Sequence, residues 1–220
     1  MILAHFLKPH PLTAAITLAL LTATLPTHAG ENFPKSPVPG APTTAAADPA
    51  SLWAFDVETA ALWRISSNTT ANYTVLPQIF SLRTPAHLRL TLGEGELTVR
   101  ARFSLLAEPI AKGPESFYWG FSASPSVEYW LKKGGGPGTT CLYASVGGGL
   151  GQIDSGDAPG GQGRDLTLNW FATAGLRHYF TSSIALNAGV LFQHWSNGGT
   201  TDPNPGLDGL GPVLGLTWHF

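Results

Sequence analysis

From Ser51 to the end of the chain, apolar residues recur at every second position rather than every third or fourth. In residues 117–129 the odd positions are Phe117, Trp119, Phe121, Ala123, Pro125, Val127 and Tyr129, whereas most even positions are Ser, Gly or Glu. Successive side chains of a β-strand point to opposite faces, so this period makes one face apolar and the other polar. Residues 96–105 repeat the design, with Leu97, Val99, Ala101, Phe103 and Leu105 against Glu96, Thr98, Arg100, Arg102 and Ser104. Residues 53–64, 142–150 and 168–180 follow it more loosely. Residues 73–92 read as a kinked strand, and 184–196 and 208–220 complete a count of eight. No stretch carries a helical stripe, and none has 18 consecutive apolar residues, so helical spans are not expected.

Apolar alternation fits either a sandwich whose apolar faces meet or a membrane barrel whose apolar faces meet lipid. The N-terminus separates the two. Lys8 precedes an apolar run over 12–25, too short to span a bilayer, which ends at the small-residue pattern Thr27-His28-Ala29; this reads as a secretory signal peptide over 1–29. Residues 30–50, rich in Pro and Ala, read as a flexible tether. Strands of ten or more residues cross a hydrocarbon core even when tilted by about 45°, and closing the sheet satisfies every backbone group there. The expectation is an all-β chain whose residues 51–220 form an eight-stranded antiparallel transmembrane β-barrel, multi-pass in a bacterial outer membrane.

Eight strands enclose a lumen that side chains fill, which disfavours a solute pore. Asp56, Glu58, Arg100, Arg102 and Glu128 are then expected to pair inside it. An even strand count leaves both barrel ends in the periplasm. The turns at 93–95, 133–138 and 181–183 would lie on that side, and the connections at 154–163 and 197–207 outside.

Charge and composition narrow the function. Lys+Arg 12 against Asp+Glu 14 gives no basic field for nucleic acid. One cysteine, Cys141, excludes an intramolecular disulfide, and the seven histidines are scattered, so no metal or other cofactor is expected. The expected contacts are with outer-membrane lipids, and a homodimer stays open.

The segment Phe192-Gln193-His194-Trp195-Ser196 carries the candidate chemistry. The even row of that strand, Ile184 to Phe192, is apolar and continues as His194 and Ser196; Asp208 continues the apolar row of the last strand. If the loop between them closes a hairpin, a hydroxyl, an imidazole and a carboxylate share the lipid-facing rim, the set needed for acyl transfer through a serine nucleophile. Asn197, Gly198, Gly199 and Asn204 in the loop could offer oxyanion donors. The plainer reading is a rim anchor on a structural or adhesive barrel.

His194-Trp195-Ser196-Asn197-Gly198-Gly199, then Asn204-Pro205-Gly206 and a closing strand ending in Phe220, resembles the lipid A 3-O-deacylase (PagL) family of outer-membrane enzymes. The resemblance implies an eight-stranded barrel that hydrolyses the 3-position acyl ester of lipid A in lipopolysaccharide. The family's His and Ser fall on His194 and Ser196. Its acid is usually Glu, where this chain has Asp208, and Asn204 would stand near the oxyanion. The active site would face the outer leaflet, with Phe192 and Trp195 receiving the acyl chain. A phospholipase or acyltransferase using the same groups is the neighbouring alternative.

Overall fold

The computed structural model describes residues 48–66, 69–155 and 159–220. The expected signal peptide and residues 30–47 of the expected tether lie outside them.

The described residues form a closed barrel of eight antiparallel strands. Strand one comprises Ala54–Ala60 and Leu62–Arg64, and strand two comprises Thr74–Val75, Gln78–Arg83 and Leu88–Leu92. Strands three to eight are Gly95–Lys112, Phe117–Trp130, Thr140–Ile153, Leu166–Tyr179, Ile184–Ser196 and Leu207–His219. Each pairs with the next in sequence, and strand one pairs with strand eight from Ala54↔His219 to Ala60↔Val213, which leaves no free sheet edge along the wall. The expected kink in strand two falls between Arg83↔Arg102 and Leu88↔Val99, where residues 84–87 stand opposite residues 100–101. Pro85 has no N–H for the ladder, so a bulge is the natural place for it.

Sequence parity translates into two surfaces. Strand four alternates exposed and buried along almost its whole length, with Phe117, Trp119, Phe121 and Val127 outward and Tyr118, Ser122, Ser126 and Glu128 inward. The outward rows join into a continuous apolar wall, which in water would be far larger than the patches soluble proteins tolerate; facing hydrocarbon, it is stabilising.

The lumen is filled in three layers. At the end where both termini of the barrel lie, Pro49–Ser51 form a short 3-10 helix capped by Asp48, and Ala50 packs with Trp130, Cys141, Tyr179 and Ala185. Asp48 to Ala50, expected to belong to the tether, are thus part of the barrel. Above them lies the ionic layer. It contains the expected Asp56, Glu58, Arg100, Arg102 and Glu128, together with Arg83 and Arg177, which sequence reasoning did not single out. Toward the opposite end, hydrophobic side chains including Leu62, Tyr73, Tyr118, Phe171, Leu191 and Trp195 complete the filling.

Candidate active site

The candidate groups lie where strand seven meets strands six and eight. On strand seven the outward row is Ile184, Leu186, Ala188, Val190, Phe192, His194 and Ser196, alternating with the inward Ala185, Asn187, Leu191, Gln193 and Trp195. Two inward side chains are held from within. Gln193 donates through Nε2 to Glu108 Oε1 at 2.9 Å, and the Trp195 ring meets Tyr118 edge-on at 6.1 Å between centroids. Tyr118 in turn accepts from Asn169 Nδ2 at 2.7 Å. This buried anchorage fixes the strand whose opposite row carries the histidine.

Trp195 had been expected to receive an acyl chain. It is 2% exposed and lies in the lumen, because its odd position belongs to the inward row. Phe192 keeps its outward place, and the aromatic beside it is Trp170 of strand six.

His194 stands directly opposite Asp208 on strand eight and directly opposite Trp170 on strand six. His194 Nδ1 donates to Asp208 Oδ1 at 2.6 Å, with the two side chains 23% and 24% exposed. Directly opposed residues have Cβ atoms about 5 Å apart, so the short arm of aspartate reaches the ring. The bond places the imidazole proton on Nδ1 and leaves Nε2 as the basic nitrogen. The main chain of Asp208 is fixed as well: its N–H donates to Ser66 Oγ at 3.3 Å, and its carbonyl accepts from Ile65 N at 2.9 Å. Ser66 belongs to the connection after strand one and was not anticipated. A contact between the first and last strands of a closed barrel is invisible to spacing along the chain.

Ser196 ends the same row, half-buried, opposite Leu168. Its hydroxyl makes no hydrogen bond among the described residues, so the structure brings His194 and Asp208 together and leaves the serine one row position beyond. Residues i and i+2 on a strand lie about 6–7 Å apart, and hydroxyl–imidazole bonds of this kind commonly close only with substrate in place.

The connection between strands seven and eight is built around Asn197, which is 3% exposed. Its Nδ2 donates to Thr201 O at 2.7 Å and to Pro203 O at 3.1 Å, and its Oδ1 accepts from Gly199 N at 3.0 Å. Its N–H donates to Asn204 Oδ1 at 2.9 Å. Gly198 and Gly199 have φ of 68° and 72°, the left-handed region that glycine enters without steric cost. The expected oxyanion donors therefore divide. Asn197 and the Gly199 N–H are consumed in shaping the loop, whereas the Asn204 carboxamide uses its oxygen and its Nδ2 has no partner among the described residues. A second loop braces the first, since Gly163 N donates to Pro203 O at 2.7 Å.

Among the described residues no group of three or more His, Cys, Asp or Glu side chains could hold a metal ion. The arrangement holds an imidazole against a carboxylate on the outward row, beside a hydroxyl and an amide donor.

Comparison with known proteins gives a family match over most of the chain: the profile of the lipid A 3-O-deacylase (PagL) family matches residues 48–217. No curated protein matches the chain. Among solved structures, the outer membrane enzyme PagL is similar at 17% identity with a TM-score of 0.49, covering 73% of this chain and 97% of that one. Neisserial surface protein A (NspA) is similar at 15% identity with a TM-score of 0.46, covering 76% and 97%.

Proposed function

Because the chain belongs to the lipid A 3-O-deacylase (PagL) family, we propose that it is an outer-membrane serine esterase that hydrolyses the 3-O-linked acyl chain of lipid A. The observation that carries this reading is the 2.6 Å bond from His194 Nδ1 to Asp208 Oδ1 on the outward face, beside a serine on the same row.

In this mechanism Asp208 holds the imidazole with Nε2 unprotonated. Nε2 takes the proton of Ser196 Oγ as that oxygen attacks the ester carbonyl. Asn204 Nδ2 donates to the oxyanion of the tetrahedral intermediate. The imidazolium, stabilised by the carboxylate, returns the proton to the departing 3-oxygen of the sugar and leaves an acyl-serine. A water molecule, deprotonated by Nε2, then attacks the acyl-serine. Fatty acid leaves and Ser196 regains its proton, so one ester and one water give one alcohol and one acid. The substrate needs no extraction from the bilayer, because the groups lie on the lipid-facing wall and the loop end of the barrel faces the outer leaflet. Phe192 lines the approach of the acyl chain.

Mass spectrometry of lipid A from cells expressing the wild-type chain or Ser196→Ala tests the reading. Wild type is expected to remove a single 3-hydroxyacyl group and Ser196→Ala none. An unchanged lipid A with the folded wild-type barrel overturns the proposal. Loss of acyl chains from glycerophospholipid instead assigns the same groups to a phospholipase.

A further inference from the structure

The imidazole of His194 has a neighbour on each side along the sheet. Asp208 of strand eight binds its Nδ1. On the other side the register places Trp170 of strand six directly opposite, and the indole lies 5.9 Å from the imidazole, centroid to centroid, with the planes 32° apart. The same indole packs on Phe192 at 4.7 Å and 42°. Trp170 thus bridges two successive members of the outward row of strand seven, one by direct and one by diagonal cross-strand contact.

We infer that Trp170 is a positioning residue for the candidate base, the second jaw of a clamp whose first jaw is Asp208. The inference rests on the esterase reading for its kinetic consequence but not for its structural one. The carboxylate fixes the tautomer, yet a single hydrogen bond leaves the ring free to swing about that bond. The indole fills the space on the strand-six side into which the ring would swing, and Phe192 keeps the indole in place. The ring is then held in one orientation on the wall, with Nδ1 on Asp208. The indole face, which carries the negative end of the ring quadrupole, also favours the imidazolium that forms when Nε2 takes the serine proton. Both effects act on the chemical step.

A competing role is interfacial anchoring, which outward aromatic residues commonly serve in barrels. The two roles call for different properties of the side chain. An anchor needs apolar bulk at the right depth, which leucine largely supplies; a jaw needs a flat ring, which leucine lacks and phenylalanine retains.

The test uses the full barrel refolded in detergent with lipid A as substrate, comparing wild type, Trp170→Leu, Trp170→Phe and, as a control at the opposite end of the wall, Trp218→Leu. Trp170→Leu is expected to lower kcat about tenfold or more with KM within about threefold, as misorientation of a reacting group does. Trp170→Phe is expected to recover most of the loss, and Trp218→Leu to leave kcat unchanged. Histidine NMR of isotopically labelled barrel gives a readout separate from turnover. In wild type the His194 ring protons are shielded by the indole and the Nδ1–H tautomer dominates; in Trp170→Leu the shielding is lost and the tautomers mix. An unchanged kcat in Trp170→Leu, or a change confined to KM, overturns the inference. If wild type does not act on lipid A, the esterase reading falls, and the spectra still decide: an unchanged tautomer ratio in Trp170→Leu removes the clamp as well.

Discussion

Two regions of this barrel pair carboxylates with cationic or basic side chains, and they do so in opposite ways. In the lumen, Asp56 accepts from Arg83 Nε at 2.7 Å through one oxygen and from Arg83 Nη2 at 2.9 Å and Thr217 Oγ1 at 2.6 Å through the other. Glu128 meets Arg83, Arg177 and Arg100. All five charged side chains are 2% exposed or less. On the outer wall, Asp208 and His194 share one bond, each about a quarter exposed, and among the described residues each keeps a polar atom unengaged: a carboxylate oxygen on one, Nε2 on the other. Sealed in the lumen, these charges are engaged with one another, with Arg100 Nη1 left without a hydrogen bond among the described residues, and they serve to fix the barrel. The half-used pair outside is the one able to exchange a proton.

Exchanging the two regions' losses is the strongest way to break this comparison. Ser196→Ala is expected to lower turnover by at least about 10³-fold, as loss of a nucleophile does, while stability in urea stays within about 0.5 kcal/mol, as for other changes away from the core. Glu128→Gln keeps the shape but leaves Arg83 and Arg177 short of a buried counter-charge, so it is expected to destabilise the barrel by about 3–5 kcal/mol. Activity per folded molecule should stay close to wild type. Urea unfolding followed by gel mobility, with turnover normalised to folded protein, checks both. A Glu128→Gln barrel that is stable yet inactive would erase the distinction between the two regions.

How much of this was legible in the sequence depends on what sets each feature. Row membership is a property of a single strand, so parity alone put His194, Ser196 and Asp208 on the outward face and Glu128 in the lumen. Partner choice needs the register of several strands. Arg83, Glu128 and Arg177 come from strands two, four and six and meet only across the closed lumen, so alternation along any one strand could not single out Arg83 and Arg177. Trp170 sits in a strand whose alternation is loose, and the turn joining strands six and seven had to set the register before it became the neighbour of His194. The acyl contact expected of Trp195 rested on closeness in sequence, which parity contradicts. Loop residues follow no period, and Asn197 shows the consequence: an amide that looked free for an oxyanion has both ends engaged by its own loop.

Asp208→Asn sharpens the comparison from the outer side. The side chain keeps its length and can still meet the ring, but it no longer stabilises the imidazolium and can present its amide N–H to Nδ1, which favours the wrong tautomer. The rate is expected to fall, yet by roughly ten- to a hundredfold less than in Ser196→Ala, since loss of the orienting acid is the mildest of the triad lesions. The change in urea stability should be small, in contrast to Glu128→Gln. A loss equal to that of the serine variant would mean that the carboxylate does more than orient.

The smallest expected effect tests whether the outer site depends on its loops as the lumen depends on its ion pairs. Gly163 stands against the loop that carries Asn204: its N–H donates to Pro203 O, and a Cβ added to it would lie 2.5 Å from Asp202 O. Backbone atoms cannot turn aside as a flexible side chain can, so in Gly163→Ala one loop must move relative to the other. The strands beneath are held by their own ladder, and the cost in stability should be no more than about 1 kcal/mol, typical of a surface substitution with local strain. Turnover should fall severalfold through kcat, because in the proposed mechanism a displaced Asn204 Nδ2 would stabilise the oxyanion less than one held in place. Kinetics on lipid A with the refolded variant measure this. Full activity in Gly163→Ala would show that the brace is incidental and that the loop around Asn197 keeps its shape through its own hydrogen bonds.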